Sequence, residues 1–168
     1  MTGGTWSTYN VDALRGWDYT FPTVLGTNTI TVYGEKTVLP TVKTETLGDL
    51  VPAYSVQECK YTLINNHVDF YLEVTFSTNA HTTAAGAIVV DTGIPLRPIT
   101  AAGINLVSMS NVVFSASAHL SGEIREAATG VRVRSTTSGA PSSSLNVASI
   151  PASTSGFKFI FSGRYKVQ

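Results

Sequence analysis

Charged side chains are scarce in this 168-residue chain: eleven Lys and Arg stand against eleven Asp and Glu, 13% of all residues, with no net formal charge. A protein that grips nucleic acid needs a basic footprint to displace counterions, and none is present. Arg125, Arg132 and Arg134 lie close together, but Glu123 and Glu126 sit among them. The one cysteine, Cys59, excludes an intrachain disulfide; inside an apparent strand it reads as a small buried hydrophobe. No apolar run approaches the length of a membrane span, so membrane insertion is not expected. Met1–Thr20 has neither the basic start nor the apolar core of a signal peptide, which predicts synthesis and folding in a cytoplasm. His67, His81 and His119 are far apart and lack metal-ligand spacing. A metal would need three copies of one histidine brought together on a trimer axis. There is no phosphate-binding glycine loop, no nucleophile elbow and no cysteine cluster, so the expectation is no cofactor and no metal.

What is present is apolar and hydroxylated. Apolar residues make up 43% of the chain and roughly a quarter of it is Ser or Thr. That is enough for the core of one domain, under a surface that relies on hydroxyls and amides for its solubility. The clearest pattern runs from Val68 to Phe76, where Val68, Phe70, Leu72, Val74 and Phe76 alternate with Asp69, Tyr71, Glu73 and Thr75. A period of two over nine residues predicts a half-buried strand. Asn65-Asn66 just upstream tolerates positive φ and predicts a tight turn from a preceding strand, Tyr54–Leu63.

Other segments read the same way. Asn28–Tyr33 alternates and is expected to turn at Gly34-Glu35. Thr37–Thr46, interrupted by Pro40, reads as an edge or bulged strand. Ala87–Val90 is short and wholly apolar, and Gly93–Ile99 is extended and punctuated by proline. Asn111–Leu120 alternates. Gly122 opens a strand through Glu126, and Val131–Arg134 follows. Ser77–Gly86 and Ser135–Ser144 are polar loops. Gly156–Val167 closes the chain, with Phe157, Phe159 and Phe161 on one face and a bulge expected at Gly163. Eight or more strands without a convincing helix predict an all-β fold, an antiparallel β-sandwich or jelly roll. Leu47–Pro52 reads as a connector, which divides the chain into an aromatic-rich N-terminal arm with short strands, residues 1–50, and a sandwich, residues 51–168. Val11–Leu14 could make one helical turn in that arm. Trp6, Tyr9, Trp17, Tyr19 and Phe21 are its anchor candidates, either folding back on their own domain or docking on a partner.

The sharpest catalytic lookalike is Ile88-Val89-Val90-Asp91-Thr92-Gly93, a strand running into Asp-Thr-Gly that resembles the aspartic-protease active-site loop. One such motif would require a homodimer. Ile94 and Pro95 depart from the protease pattern, and Asp-Thr-Gly is ordinary turn chemistry at a strand end. Asp69 and Glu73 flank Tyr71 on one strand face, which a solvated surface explains. The expectation is therefore no enzyme, with Asp91 as the remote catalytic candidate.

From Tyr54 to Val167 the chain resembles the C-terminal β-sandwich of bacteriophage tail-fibre and receptor-binding proteins. The residues that carry the likeness are the strand Val68–Phe76, the extended Gly93-Ile94-Pro95-Leu96-Arg97-Pro98, the small-residue strand and hairpin Phe114–Arg134, and the close Phe161-Ser162-Gly163-Arg164-Tyr165. The resemblance implies a non-enzymatic virion protein, homo-oligomeric and most often trimeric. Its partners would be other virion structural proteins and a host-surface glycan or protein, met through polar loops such as Ser77–Ala85 and Ser135–Ser144. A capsid decoration protein docked by its arm is the alternative. A genome-packaging shell would call for a basic arm, and Met1–Phe21 holds one Arg and two Asp.

Overall fold

The computed structural model describes residues 17–23, 26–46, 48–114, 118–138 and 141–168, with side-chain surroundings from residue 35 onward. Among the described residues, eleven strands run in chain order: β1 (Trp17–Thr23), β2 (Gly26–Val38), β3 (Thr41–Thr46), β4 (Pro52–Ile64), β5 (His67–Thr78), β6 (Ala85–Asp91), β7 (Ala102–Ser110), β8 (His119–Ile124), β9 (Gly130–Thr136), β10 (Ser143–Ser144) and β11 (Phe157–Lys166). A 3-10 turn, Val147–Ser149, lies between β10 and β11. All pairings are antiparallel, in the order β1-β2-β4-β5-β11-β7-β8-β9-β6-β3, with β10 beside β9.

The β4–β5 hairpin turns at Asn65, whose φ of 55 is the left-handed conformation that asparagine tolerates. Val68, Phe70, Leu72, Val74 and Phe76 are all buried, as their alternation predicts. Directly opposed residues of antiparallel strands share a face. Phe161, Phe159 and Phe157 of β11 therefore lie beside Leu72, Val74 and Phe76 of β5. Their rings pack at 6.0 Å (Phe159–Phe161) and 5.5 Å (Phe76–Phe157). This first wall meets a second: Ile88 and Val90 from β6, Ile124 from β8 and Val131 and Val133 from β9 belong to the same buried cluster. The sheet curls on itself into a sandwich-like, all-β fold around one core.

The chain between β2 and β3 changes walls. β2 pairs with the C-terminal half of β4, while β3 pairs with β6. Leu39-Pro40 makes the corner, where a proline costs no ladder hydrogen bond. The curl is then closed by side chains. The N–H of Val42 donates to the Tyr54 hydroxyl at 2.6 Å, and the Gln57 amide donates to Pro40 O at 2.7 Å. The edge strand β3, expected from Pro40, is thus capped. At the opposite end of the path, β1 pairs with β2, with Thr23 in register with Gly26.

Four expectations need correction. Gly34-Glu35 is no turn: β2 runs through it, with an irregularity against β4 between Tyr33 and Lys36. The strand expected at Asn111–Leu120 lies earlier, at Ala102–Ser110. The chain leaves the sheet at Asn111, where φ is 59 and the side-chain amide donates to Gly156 O at 2.9 Å. Val113 and Phe114 beyond it are exposed. Gly122 does not open a strand but sits inside β8, where a side chain would strike the Ile104 carbonyl at 2.8 Å. Finally, the irregularity of β11 falls between Ile160 and Phe161 against β7. Gly163 stays in register with Phe70 and is small for another reason: a Cβ there would lie 2.6 Å from Ile104 Cδ1. The helical turn expected at Val11–Leu14 lies outside the described residues.

Candidate functional site

The outer face of the first wall is polar by the same alternation that makes its inner face dry. Lys60 and Thr62 of β4 oppose Tyr71 and Asp69 of β5. Ser162 and Arg164 of β11 oppose the same two residues from the other side, and Asn105 of β7 opposes Ser162. Together they line a shallow groove of about 550 Å³, with Glu35 of β2 at its margin. Tyr71 is 40% exposed there, and its hydroxyl donates to Glu73 Oε2 at 3.3 Å. Partial desolvation and the Glu73 charge both push that phenol above its ordinary value, so the hydroxyl stays neutral. Ion pairs flank the groove: Arg164 Nε to Asp69 Oδ1 at 3.4 Å, Lys158 to Glu73 at 2.8 Å and Lys60 to Glu58 at 3.5 Å.

Asp49 and Arg134 spend their hydrogen bonds within the protein. Asp49, in the connector before β4, accepts the N–H groups of Thr82 at 2.7 Å, Thr83 at 2.8 Å and Ala84 at 3.2 Å, and the Thr82 hydroxyl at 3.0 Å. These backbone donors, Thr83 and Thr82 foremost, hold its carboxyl far below the usual range. Asn79 completes the staple, donating to Asp49 O at 2.7 Å and accepting from Val51 N at 2.8 Å. At residue 48 only glycine fits, because a Cβ would collide with the Ala84 backbone. The loop after β5 is thereby pinned to the connector. In the other polar loop, Arg134 binds the Ser144 hydroxyl at 2.9 Å and the Ser142 hydroxyl at 2.7 Å.

Asp91 has the contacts of a strand-end turn. Its Oδ2 faces Lys43 Nζ at 2.6 Å and accepts from the Thr129 hydroxyl at 3.1 Å, and its Oδ1 accepts from Gly93 N at 3.2 Å. Burial works to raise its pKa, but the Lys43 ammonium and the Gly93 and Thr129 donors outweigh it and hold the group ionised below its ordinary value. Thr92 donates to Thr129 O and accepts from Ile94 N, and Gly93 adopts φ 74, so each residue of the Asp-Thr-Gly has a turn role.

Cys59 is fully buried and its thiol is pushed up to about 12 by desolvation, as suits a small hydrophobe. His67 lies beside the hairpin turn in register with Ile64, His81 Nε2 lies 3.1 Å from Ile150 O, and His119 is exposed. Among the described residues no group of three or more His, Cys, Asp or Glu could hold a metal ion. Of the anchor candidates, Trp17, Tyr19 and Phe21 are positions of β1, paired with Val32, Ile30 and Asn28. Trp6 and Tyr9 lie outside the described residues. The groove draws on residues the sequence did not mark as a site, Asn105, Ser162 and Arg164. The signal for the last two was available, since they alternate with the apolar Phe161 and Tyr165.

The fold and this face define an all-β, antiparallel sandwich with a polar outer groove. No family model matches the sequence, and no curated protein matches it. Among solved structures, the chain is similar to Dettilon tailspike protein (gp208), with a TM-score of 0.62 at 16% identity over 80% of this chain. The matched part spans 24% of that chain, so the likeness is to a portion of a longer protein and concerns the fold. No helix among the described residues is long and apolar enough to cross a membrane.

Proposed function

We propose that the chain is a non-enzymatic structural protein of a bacteriophage virion, of tail-fibre or receptor-binding type, which presents its sandwich for attachment to a host surface. The observation that carries this reading is the fold shared with part of a tailspike protein over 80% of the chain. In this reading the protein works as a homotrimer bound to other virion proteins, and residues 1–50 form the assembly segment. That segment supplies both ends of the sheet path, β1 and β3. Trp6, Tyr9, Trp17, Tyr19 and Phe21 are its proposed anchors, in keeping with the share of interface energy that aromatic side chains carry.

The test is location and mass. Antibodies against the full chain, viewed by electron microscopy on virions that contain it, label the tail under this reading; label on the head makes it a capsid decoration protein instead. Light scattering of the purified chain gives three times the monomer mass if the protein assembles as proposed. A monomer overturns the trimer.

A further inference from the structure

Unlike Asp49 and Arg134, the groove on the outer face of the first wall leaves hydrogen-bonding groups unused. Among the described residues, the side chains of Thr62, Asn105 and Ser162 make no hydrogen bond within the protein. Arg164 pairs with Asp69 at 3.4 Å (Nε to Oδ1) and makes no hydrogen bond among the described residues through the N–H groups of its planar fork. These donors and acceptors stand on adjacent, hydrogen-bonded strands, so their backbone positions are fixed before any ligand arrives. Neighbouring strands are about 4.8 Å apart, which puts about 10 Å between the Tyr71 and Asn105 positions across β11.

The lining charges also balance. Lys60 and Arg164 stand against Glu35 and Asp69. An anionic ligand would meet two carboxylates and a cationic one would meet two cations, so each gains little from the field. A ligand dense in hydroxyl and amide groups, with apolar C–H faces to lie against a half-exposed tyrosine ring, suits this set of partners. We propose that the groove around Tyr71 binds an electrically neutral saccharide. Tyr71 supplies the apolar contact, and Arg164, Asp69, Asn105 and Ser162 supply the hydrogen bonds. This rests on the host-attachment reading, but it places recognition on a sheet face and not in the polar loops.

The test uses the full chain on an array of neutral and uronate-bearing oligosaccharides, with each hit titrated by NMR. The proposal expects neutral oligosaccharides to bind, with shifts in the amides of Tyr71, Ser162 and Asn105. Tyr71→Ala and Arg164→Ala should each weaken binding by about tenfold or more, and affinity should hold as salt is raised. Asn105→Ala is a third variant, far from the core, and thermal unfolding checks that all three fold. Failure of every neutral oligosaccharide to bind overturns the assignment. So does binding that the variants leave unchanged, and so does salt-sensitive preference for uronates. A trimer that shields the groove amides from exchange overturns it as well, by making the face a contact between copies. The two readings fail separately. Protein that stains bacterial surfaces equally well with Tyr71→Ala leaves the attachment reading standing without the groove. Saccharide binding lost in Tyr71→Ala, on a protein that antibodies place on the head, leaves the groove without the attachment reading.

Discussion

Asp49 and Asp69 are the same residue in two opposite settings. Asp49 stands at one end of the sandwich with its oxygens filled by the donors of Thr82, Thr83 and Ala84. Asp69 stands on a sheet face, with one long contact to Arg164 and open space beside it. The first arrangement holds a loop to a connector and has nothing left to offer a partner. The second adds little to stability and keeps its chemistry available. Polar residues in this protein therefore fall into those that fix the fold and those that face outward, and hydrogen-bond saturation separates them better than exposure does.

The largest test of that division lies on a single strand. Leu72→Ala removes a fully buried side chain and should cost about 2–5 kcal/mol in urea unfolding. Its neighbour Tyr71→Ala should stay within about 1 kcal/mol. Equal losses would mean that the outer face also carries the fold.

Next, Asp49→Ala should lower the thermal midpoint and speed hydrogen exchange at Thr82, Thr83 and Ala84, because three amides lose their acceptor together. Asp69→Ala should change neither. A smaller effect is expected at Tyr165, whose buried hydroxyl donates to Leu96 O at 2.9 Å. Tyr165→Phe strands that carbonyl and should cost about 1–2 kcal/mol by chemical denaturation.

Acid sharpens the same comparison. Asp49, Asp91 and Glu45 all titrate below their ordinary values of 3.8, 3.8 and 4.5. Backbone donors act first at Asp49 (Thr83) and Glu45 (Ala87), whereas at Asp91 the Lys43 pair offsets burial. A depressed carboxylate contributes stability that is complete above its unfolded value and is lost as pH falls through its folded one. The thermal midpoint should therefore hold at pH 5 and above and fall progressively below about pH 4. Asp91→Asn should flatten part of that fall, and an unchanged acid limb would show that the turn contributes nothing. The smallest effect belongs to the groove: Arg164→Ala should shift stability by no more than about 0.5 kcal/mol, the usual worth of an exposed pair.

Much of the first wall could be read from the residues. The period of two in Val68–Phe76 and the paired phenylalanines of Phe157–Phe161 each place a dry face by local alternation alone, and Asn65-Asn66 marks the turn by its tolerance of positive φ. Ala102–Ser110 was illegible for the opposite reason. Its small and polar residues are exposed or half-buried along most of its length, with Ile104 the buried position, so no period forms. Asn111–Leu120 misled because Val113 and Phe114 are exposed: Asn111 turns the chain out through an amide contact with Gly156, forty-five residues away. The groove was half legible. Asp69 and Tyr71 stood out on one strand, but their meeting with Arg164, Ser162 and Asn105 depends on a long-range register that no local pattern encodes.

The corner at Leu39-Pro40 has a mechanical consequence. The chain from Gly26 to Thr46 is laced first to β4 in one wall and then to β6 in the other. A pull delivered through β1 loads the β1–β2 ladder first, then the β2–β4 ladder and, once that yields, the β3–β6 ladder. Load entering at the N-terminal side is thus divided between both walls, so the segment acts as a tether that cannot be drawn out without opening the sandwich itself.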